Sequence, residues 1–384
     1  MLKSNSYDYI ICGAGCAGLS LLLRMLRNKS LANKKILLID KEVKTKNDRT
    51  WCYWEREKGF FDEIVYKRWD KVSFLSNDFS SGLAIDPYEY KMIRGADFYN
   101  YCFSEINKNK NVEVVYGDVK GWEQEDEAIV LKIDDKQFRL IDVGTQIFNS
   151  IYKPAPPRNG VIKLLQHFKG WVIETAKPSF NSGEATMMDF RVHQQHGTTF
   201  AYVLPFSTTS ALIEYTLFTK TMLDDEEYDK ELRTYINDFL NIDEYIIKEV
   251  EFGVIPMTNE KLTFNGHNAW MIGTAGGQTK SSSGYTFQFI QKQSMEIVEY
   301  LAANKSLNEL PQTPARFRFY DNTLLHILFY DKLPGDKIFS QLFKKNKPQQ
   351  VLRFLDNESS LQEELKIISS LPTWPFLKAA IKQV

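Results

Sequence analysis

The chain has 384 residues, 43% of them hydrophobic and 25% charged, enough for two or three domains around large cores. Its formal net charge of -1 excludes the basic field that a nucleic-acid binder displays. The 26 Phe, 19 Tyr and 7 Trp serve either an aromatic core or a long apolar ligand tunnel, and composition does not choose between them.

Residues 7–18 read YDYIICGAGCAG, an apolar strand from Tyr9 to Cys12 that runs into Gly13, Gly15 and Gly18. LSLLLRMLRN continues as a buried helix, and a second strand, KKILLID, ends on Asp40. Strand, glycine turn, helix, strand and acid together form a dinucleotide fingerprint. Gly13 permits the tight turn, Gly15 lets the backbone approach a pyrophosphate, and Gly18 allows close helix–strand packing. The helix N-terminus offers amides to the phosphates, and Asp40 is placed to accept from ribose hydroxyls. Position at the start of the chain favours FAD over NAD by analogy with other flavoproteins.

NDRTWCYWEREKG then reads as a polar and aromatic loop, and residues 88–107 as a short turn followed by a helix. VEVVYGDV, IVLKI and QFRLI read as strands and hairpins, and QIFNS as another buried strand. From about 160 to 255 the pattern is β-rich, with a hairpin around Ser207–Ser210 joining TTFAYVLPFS to SALIEYTLFT. An acidic-started amphipathic helix covers 224–240. AWMIGTAGGQT repeats the strand-to-glycine-turn signature at Gly273, Gly276 and Gly277, and FQFIQKQSMEIVEYLAA follows as a helix. From about 312 the chain is helical and aromatic. The expected fold is α/β. A Rossmann-like FAD domain (1–160 and 256–310) is split by a β-sheet substrate domain (161–255), and a helical region (311–384) follows.

Cys12, Cys16, Cys52 and Cys102 form no CxxC pair and read as reduced thiols of a cytoplasmic protein. The N-terminus lacks the build of a signal peptide, and no stretch reaches the roughly 18 apolar residues of a membrane span. His193 and His196 stand three apart with no third ligand nearby, so no metal site is expected, and His167, His267 and His326 are lone residues.

The segment Asn47-Asp48-Arg49-Thr50-Trp51 resembles the N-x-x-T-W motif of the lycopene cyclase family. Lys91–Gly95 (KMIRG), Met188–Arg191 (MDFR), Leu212–Thr216 (LIEYT, against F-L-E-E-T in plant members) and the IGTAGGQTKSSSGYTF segment follow in the family's order. Tail segments such as RFYDNTLLHIL and LPTWPFLKA also match, so the resemblance spans nearly the whole chain. Thr274 stands where flavin hydroxylases carry Asp, and Phe148-Asn149-Ser150 lacks their D-G pair; both departures agree with cyclases. The loop 278–283 lacks the family's frequent proline, and Tyr215 replaces the second acid of the plant motif.

The resemblance implies a lycopene β-cyclase that closes the ψ-ends of lycopene and related linear carotenoids without net redox change. It implies reduced FAD as cofactor, NAD(P)H as its reductant, and Glu214 as the acid. It places Arg49 and Arg94 near the flavin, and Trp51, Tyr215 and Asp189 near the substrate. On an alternating strand Glu214 faces either the cavity or solvent. LFKKNK and TWPFLKAAIK combine apolar residues with lysines, and serve either as packing helices or as a peripheral membrane contact. The rival readings are an FAD-dependent hydroxylase or isoprenoid reductase, and a non-catalytic flavin- or carotenoid-binding protein.

Overall fold

The computed structural model describes residues 2–142, 144–154, 156, 158–260 and 268–381, with only the backbone of Thr373; His267 lies outside them. The first half of the fold is a five-stranded parallel sheet in the order Ala269–Met271, Gln146–Asn149, Tyr9–Cys12, Ile36–Asp40, Val112–Tyr116. Its inner strands are buried on both faces, which explains their continuous apolar runs. One face packs on helices Cys16–Arg27, Gly95–Ile106 and Phe287–Ala302. The other packs on a three-stranded antiparallel sheet, Val119–Glu125, Ala128–Ile133 and Lys136–Ile141. In such sheets a ligand binds beyond the carboxyl ends of the strands, where Gly13 follows Cys12.

The second half is a seven-stranded sheet. Its order is Ile246–Thr258, Lys163–Glu174, Ser210–Thr219, Thr198–Pro205, Glu184–Asp189, Lys71–Leu75, Ser80–Ala84. The last two strands come from a stretch that the sequence assigned to the FAD domain. Helix Asp225–Thr234 opens with a capping box at Asp224 and Glu227, and covers one face of the sheet with Tyr228 and Leu232. The other face carries Phe200, Leu204, Leu212 and Phe218. It packs against the C-terminal helices through Phe339, Phe343 and Leu352. Among the described residues, 33 buried apolar ones form the largest core here, so the C-terminal helices are an integral wall and not an appendage.

Two local expectations change. Residues 50–55 form a strand, Thr50–Glu55, paired antiparallel with Glu89–Arg94, so neither the loop nor the turn is present. The aromatics of TWCYW are alternating strand side chains: Trp51 and Tyr53 pack with the glycine-helix core, Trp54 with the core over the large sheet.

Candidate active site

A cavity of about 460 Å³ lies between the two halves. One end is the glycine turn with Gly15, Cys16 and Ala17; the other holds Glu214, with Tyr202 and Tyr285. A Cβ placed on Gly15 would meet no atom within 4 Å, so its backbone faces open cleft. Helix Cys16–Arg27 starts there without a side-chain cap and without an acid in its first turn. Its free amides and positive dipole end therefore point where an anionic pyrophosphate would sit. These features fit a dinucleotide. Gly13 has φ +99°, and a Cβ on Gly18 would lie 1.9 Å from the carbonyl oxygen of Gly13. The return turn at Gly273, Gly276 and Gly277 approaches the same helix: a Cβ on Gly273 would lie 2.5 Å from Cβ of Ala17.

Asp40 is buried, and its Oδ2 accepts from the amide of Ala14 at 2.6 Å. Its Oδ1 accepts from the amide of Glu42 at 3.1 Å and pairs with Lys44 at 3.0 Å. Asp40 thus clamps the glycine turn, and one lone pair on Oδ2 is left for a further donor.

The middle of the cavity is aromatic. Trp51 lines it, with its ring 5.1 Å from that of Phe98 and 6.1 Å from that of Phe287. Arg49 lines it too. Phe168, Tyr90, Tyr202 and Tyr285 complete the wall, and burial holds the last three phenols well above their ordinary range.

Glu214 faces this cavity and is 9% exposed. In the sheet it stands opposite Tyr202 on one side and Gly170 on the other. Gly170 in turn stands opposite Glu251, which is 8% exposed. Glu214 and Glu251 thus flank the glycine from its two neighbouring strands. Thr216 Oγ1 donates to Glu214 Oε1 at 2.8 Å, and Thr50 Oγ1 donates to Glu251 Oε2 at 2.7 Å. Burial, then the charge of Glu251, pushes the Glu214 carboxyl far above its ordinary value. Burial also raises Glu251, though the Thr50 hydroxyl that donates to it and the neighbouring Glu214 carboxyl oppose this. The direction for the pair is clear: burial and the neighbouring carboxyl both favour the protonated form of Glu214.

Three sequence candidates fall elsewhere. Tyr215 is fully buried on the opposite face of the sheet, in the core with Tyr228 and Leu232, because neighbours on a strand point to opposite sides. Asp189 is fully buried too, held by Arg191 at 2.5 Å and by the Tyr235 hydroxyl at 2.8 Å, and does not line the cavity. Arg94 is claimed by Asp97 in a two-pronged bond of 2.7 and 3.0 Å, with its guanidinium 3.8 Å from the Tyr66 ring centre. It borders a separate cavity of about 250 Å³. Conversely, the sequence reading missed Glu251, Gly170, Tyr202 and Tyr285. Glu251 carried a signal: it is an acid four residues before the apolar Ile255-Pro256-Met257 of the same strand.

The family model described as "Lycopene cyclase protein" matches residues 8–381, and the chain belongs to that family. A search of curated proteins returned no match. Among solved structures, a geranylgeranyl bacteriochlorophyll reductase-like protein from Thermoplasma acidophilum is similar, with a TM-score of 0.66 and 11% identity over 99% of this chain and 100% of the other. A flavoprotein/dehydrogenase from Cytophaga hutchinsonii has a TM-score of 0.63 and 14% identity, covering 98% and 99%. A halogenase solved in complex with FAD has a TM-score of 0.56 and 11% identity, covering 92% and 79%. At these identities the likeness establishes the fold, that of FAD-dependent enzymes.

Proposed function

We propose that this member of the lycopene cyclase family is a lycopene β-cyclase, converting the ψ-ends of lycopene to β-rings through γ-carotene to β-carotene. The observation that supports this most is a buried carboxyl, Glu214, in an aromatic cavity that also contains the glycine turn. An alkene is a poor base, so its protonation needs an acid that no water competes for. Glu214 gives its proton to C2 of a terminal isoprene unit. The C1 cation is attacked by the C5–C6 double bond, and loss of a proton from C6 leaves the ring. No electrons are gained or lost. Aromatic faces such as Trp51 and Tyr202 stabilise the passing cation by about 0.5–2 kcal/mol each.

Gly13, Gly15 and Gly18, with the return turn at Gly273–Gly277, would hold FAD, with Asp40 toward the ribose and Arg49 toward the ring. Reduced FAD, with NAD(P)H as its reductant, would supply a negative charge that favours the cation; unit charges 4 Å apart at an effective dielectric of 20 attract by roughly 4 kcal/mol.

The proposal includes a membrane surface on the cytoplasmic side, because the substrate is an apolar polyene. No helix among the described residues is long and apolar enough to span a bilayer. Leu361, Leu365 and Ile368 on one C-terminal helix, and Trp374, Leu377 and Ile381 on the next, recur at helical spacing and are between 38% and 67% exposed. Lys378 lies against the Trp374 ring, where it can meet lipid headgroups. Flotation with anionic vesicles should carry the wild type and leave Leu365→Glu/Trp374→Glu behind. Equal flotation of the two would remove this face.

The test of the activity is expression in a lycopene-accumulating bacterium with chromatography of the pigments. Cyclic carotenes should appear; unchanged lycopene, with the protein folded and flavin-loaded, would refute the proposal.

A further inference from the structure

We propose that Glu214 and Glu251 act as one acid–base unit, sharing a single proton across the gap that Gly170 leaves. In this unit the proton given to the substrate and the proton recovered from the ring belong to the same pair. The inference rests on the cyclase reading and deepens it by adding a second carboxyl.

The geometry carries it. Glu214, Gly170 and Glu251 form one row across three adjacent strands, on one face of the sheet. Any side chain at 170 would stand between the acids: a Cβ there would lie 3.0 Å from Glu251 Cγ and 3.3 Å from Glu251 Oε1. Glu251 Oε1 is buried and has no hydrogen-bond partner among the described residues, so a donor is wanted there. Two carboxylates cannot satisfy each other; one must carry a proton to donate. With Thr50 donating to the far oxygen of Glu251 and Thr216 to one oxygen of Glu214, the pair is complete with one proton and strained with none.

The groups facing the pair leave it electrically exposed. Glu249 on the edge strand repels a charge on Glu251, and Arg49 attracts it. From the other elements come Cys52, Tyr202 and Tyr285, whose thiol and phenols are held above their ordinary range and so carry no charge at neutral pH. The donation therefore leaves two negative charges side by side in a low dielectric, next to the carbocation. They hold that cation, and their mutual repulsion makes the pair a strong base. The balance closes. The O–H bond of Glu214 breaks as the C2–H bond forms from the alkene π electrons. C1 then bonds to C6, and the C6–H electrons become the ring double bond. The released proton returns to Glu214 and is again shared with Glu251. C2 and C6 both flank C1, so one carboxyl can serve both positions. Glu251 is a positioning residue: it acts through Glu214.

The test is the pH profile of cyclisation by the FAD-loaded full chain, wild type against Glu251→Gln. A glutamine carries no charge and donates to Glu214, so it favours the ionised form. The alkaline loss of activity should move to lower pH by at least about one unit, with the residual activity recovered at lower pH. A profile superimposable on the wild type would overturn the proposal. Infrared titration without substrate gives an answer even if Glu251→Gln does not fold. In the wild type, one carboxylic-acid band should persist above neutral pH and vanish in Glu214→Gln. A wild type without such a band, or a band unchanged in Glu214→Gln, would mean that Glu214 carries no proton and would overturn the proposal. This measurement needs no turnover, so it separates a failed pair from a failed cyclase assignment.

Discussion

The two ends of the cavity are built in different ways. The nucleotide end is made almost entirely within one stretch, Tyr9 to Asp40: strand, turn, helix, strand and the acid whose Oδ2 receives the Ala14 amide. The carboxylate end is made by register. Residues 170, 214 and 251 meet only because three strands pair in one particular alignment. A shift of one residue in either ladder would turn an acid to the opposite face. A glycine motif can thus be local while the carboxyls at the other end of its cavity are not.

Mutations should therefore damage the two ends independently. Glu214→Gln keeps the shape and a hydrogen-bond donor but holds no transferable carboxyl proton. Cyclisation should fall by at least about 10²-fold, the low end for a general acid. Flavin content, read from the absorbance spectrum, should be normal. A near wild-type rate would move proton donation to another group. Glu214→Asp should keep a trace of activity. Gly15→Val should do the reverse: its side chain enters the open cleft, so flavin is lost on gel filtration while the acid end stays folded. Retained flavin would sink the fingerprint reading.

Smaller effects separate the faces of the strand. The folded carboxyl of Glu214 lies above its ordinary value of 4.5, so the native state binds more protons than the unfolded chain above that pH. Its contribution to stability is greatest in acid and is lost as pH rises through the window between the unfolded and folded values. Melting temperature should thus decline with pH less steeply in Glu214→Gln than in the wild type; parallel curves would contradict the raised value. Tyr215→Phe should be mildest, changing activity by less than about twofold. It removes a buried hydroxyl with no hydrogen-bond partner on the far face of the sheet. A loss as large as that of Glu214→Gln would return Tyr215 to the site.

The same contrast explains what the sequence disclosed. The strand Tyr9–Cys12, the glycine turn and the helix Phe287–Ala302 were legible because their signals are periodicity and spacing within a few residues. Glu214 was found through its motif, but its orientation needed the sheet. Tyr215, adjacent to it, was misplaced because a motif match does not state which way a side chain points. Arg94 and Asp189 do not line the cavity, and their partners, Asp97 and the pair Arg191 and Tyr235, hold them locally, which a motif match does not show. Gly170 was invisible and Glu251 only faintly marked by the apolar run after it: a lone glycine in a strand and an acid on an edge strand acquire meaning from the neighbours that pairing supplies.

The central claim is that chemistry at the carboxylate end moves a proton and no net electrons, although the fold belongs to redox enzymes. Its most direct test is anaerobic turnover of lycopene by the FAD-loaded protein, with NAD(P)H oxidation and ring formation counted in the same vessel. The account predicts many rings per reductant oxidised, once the flavin has been reduced. One NAD(P)H consumed for every ring would contradict it and make the protein a reductase.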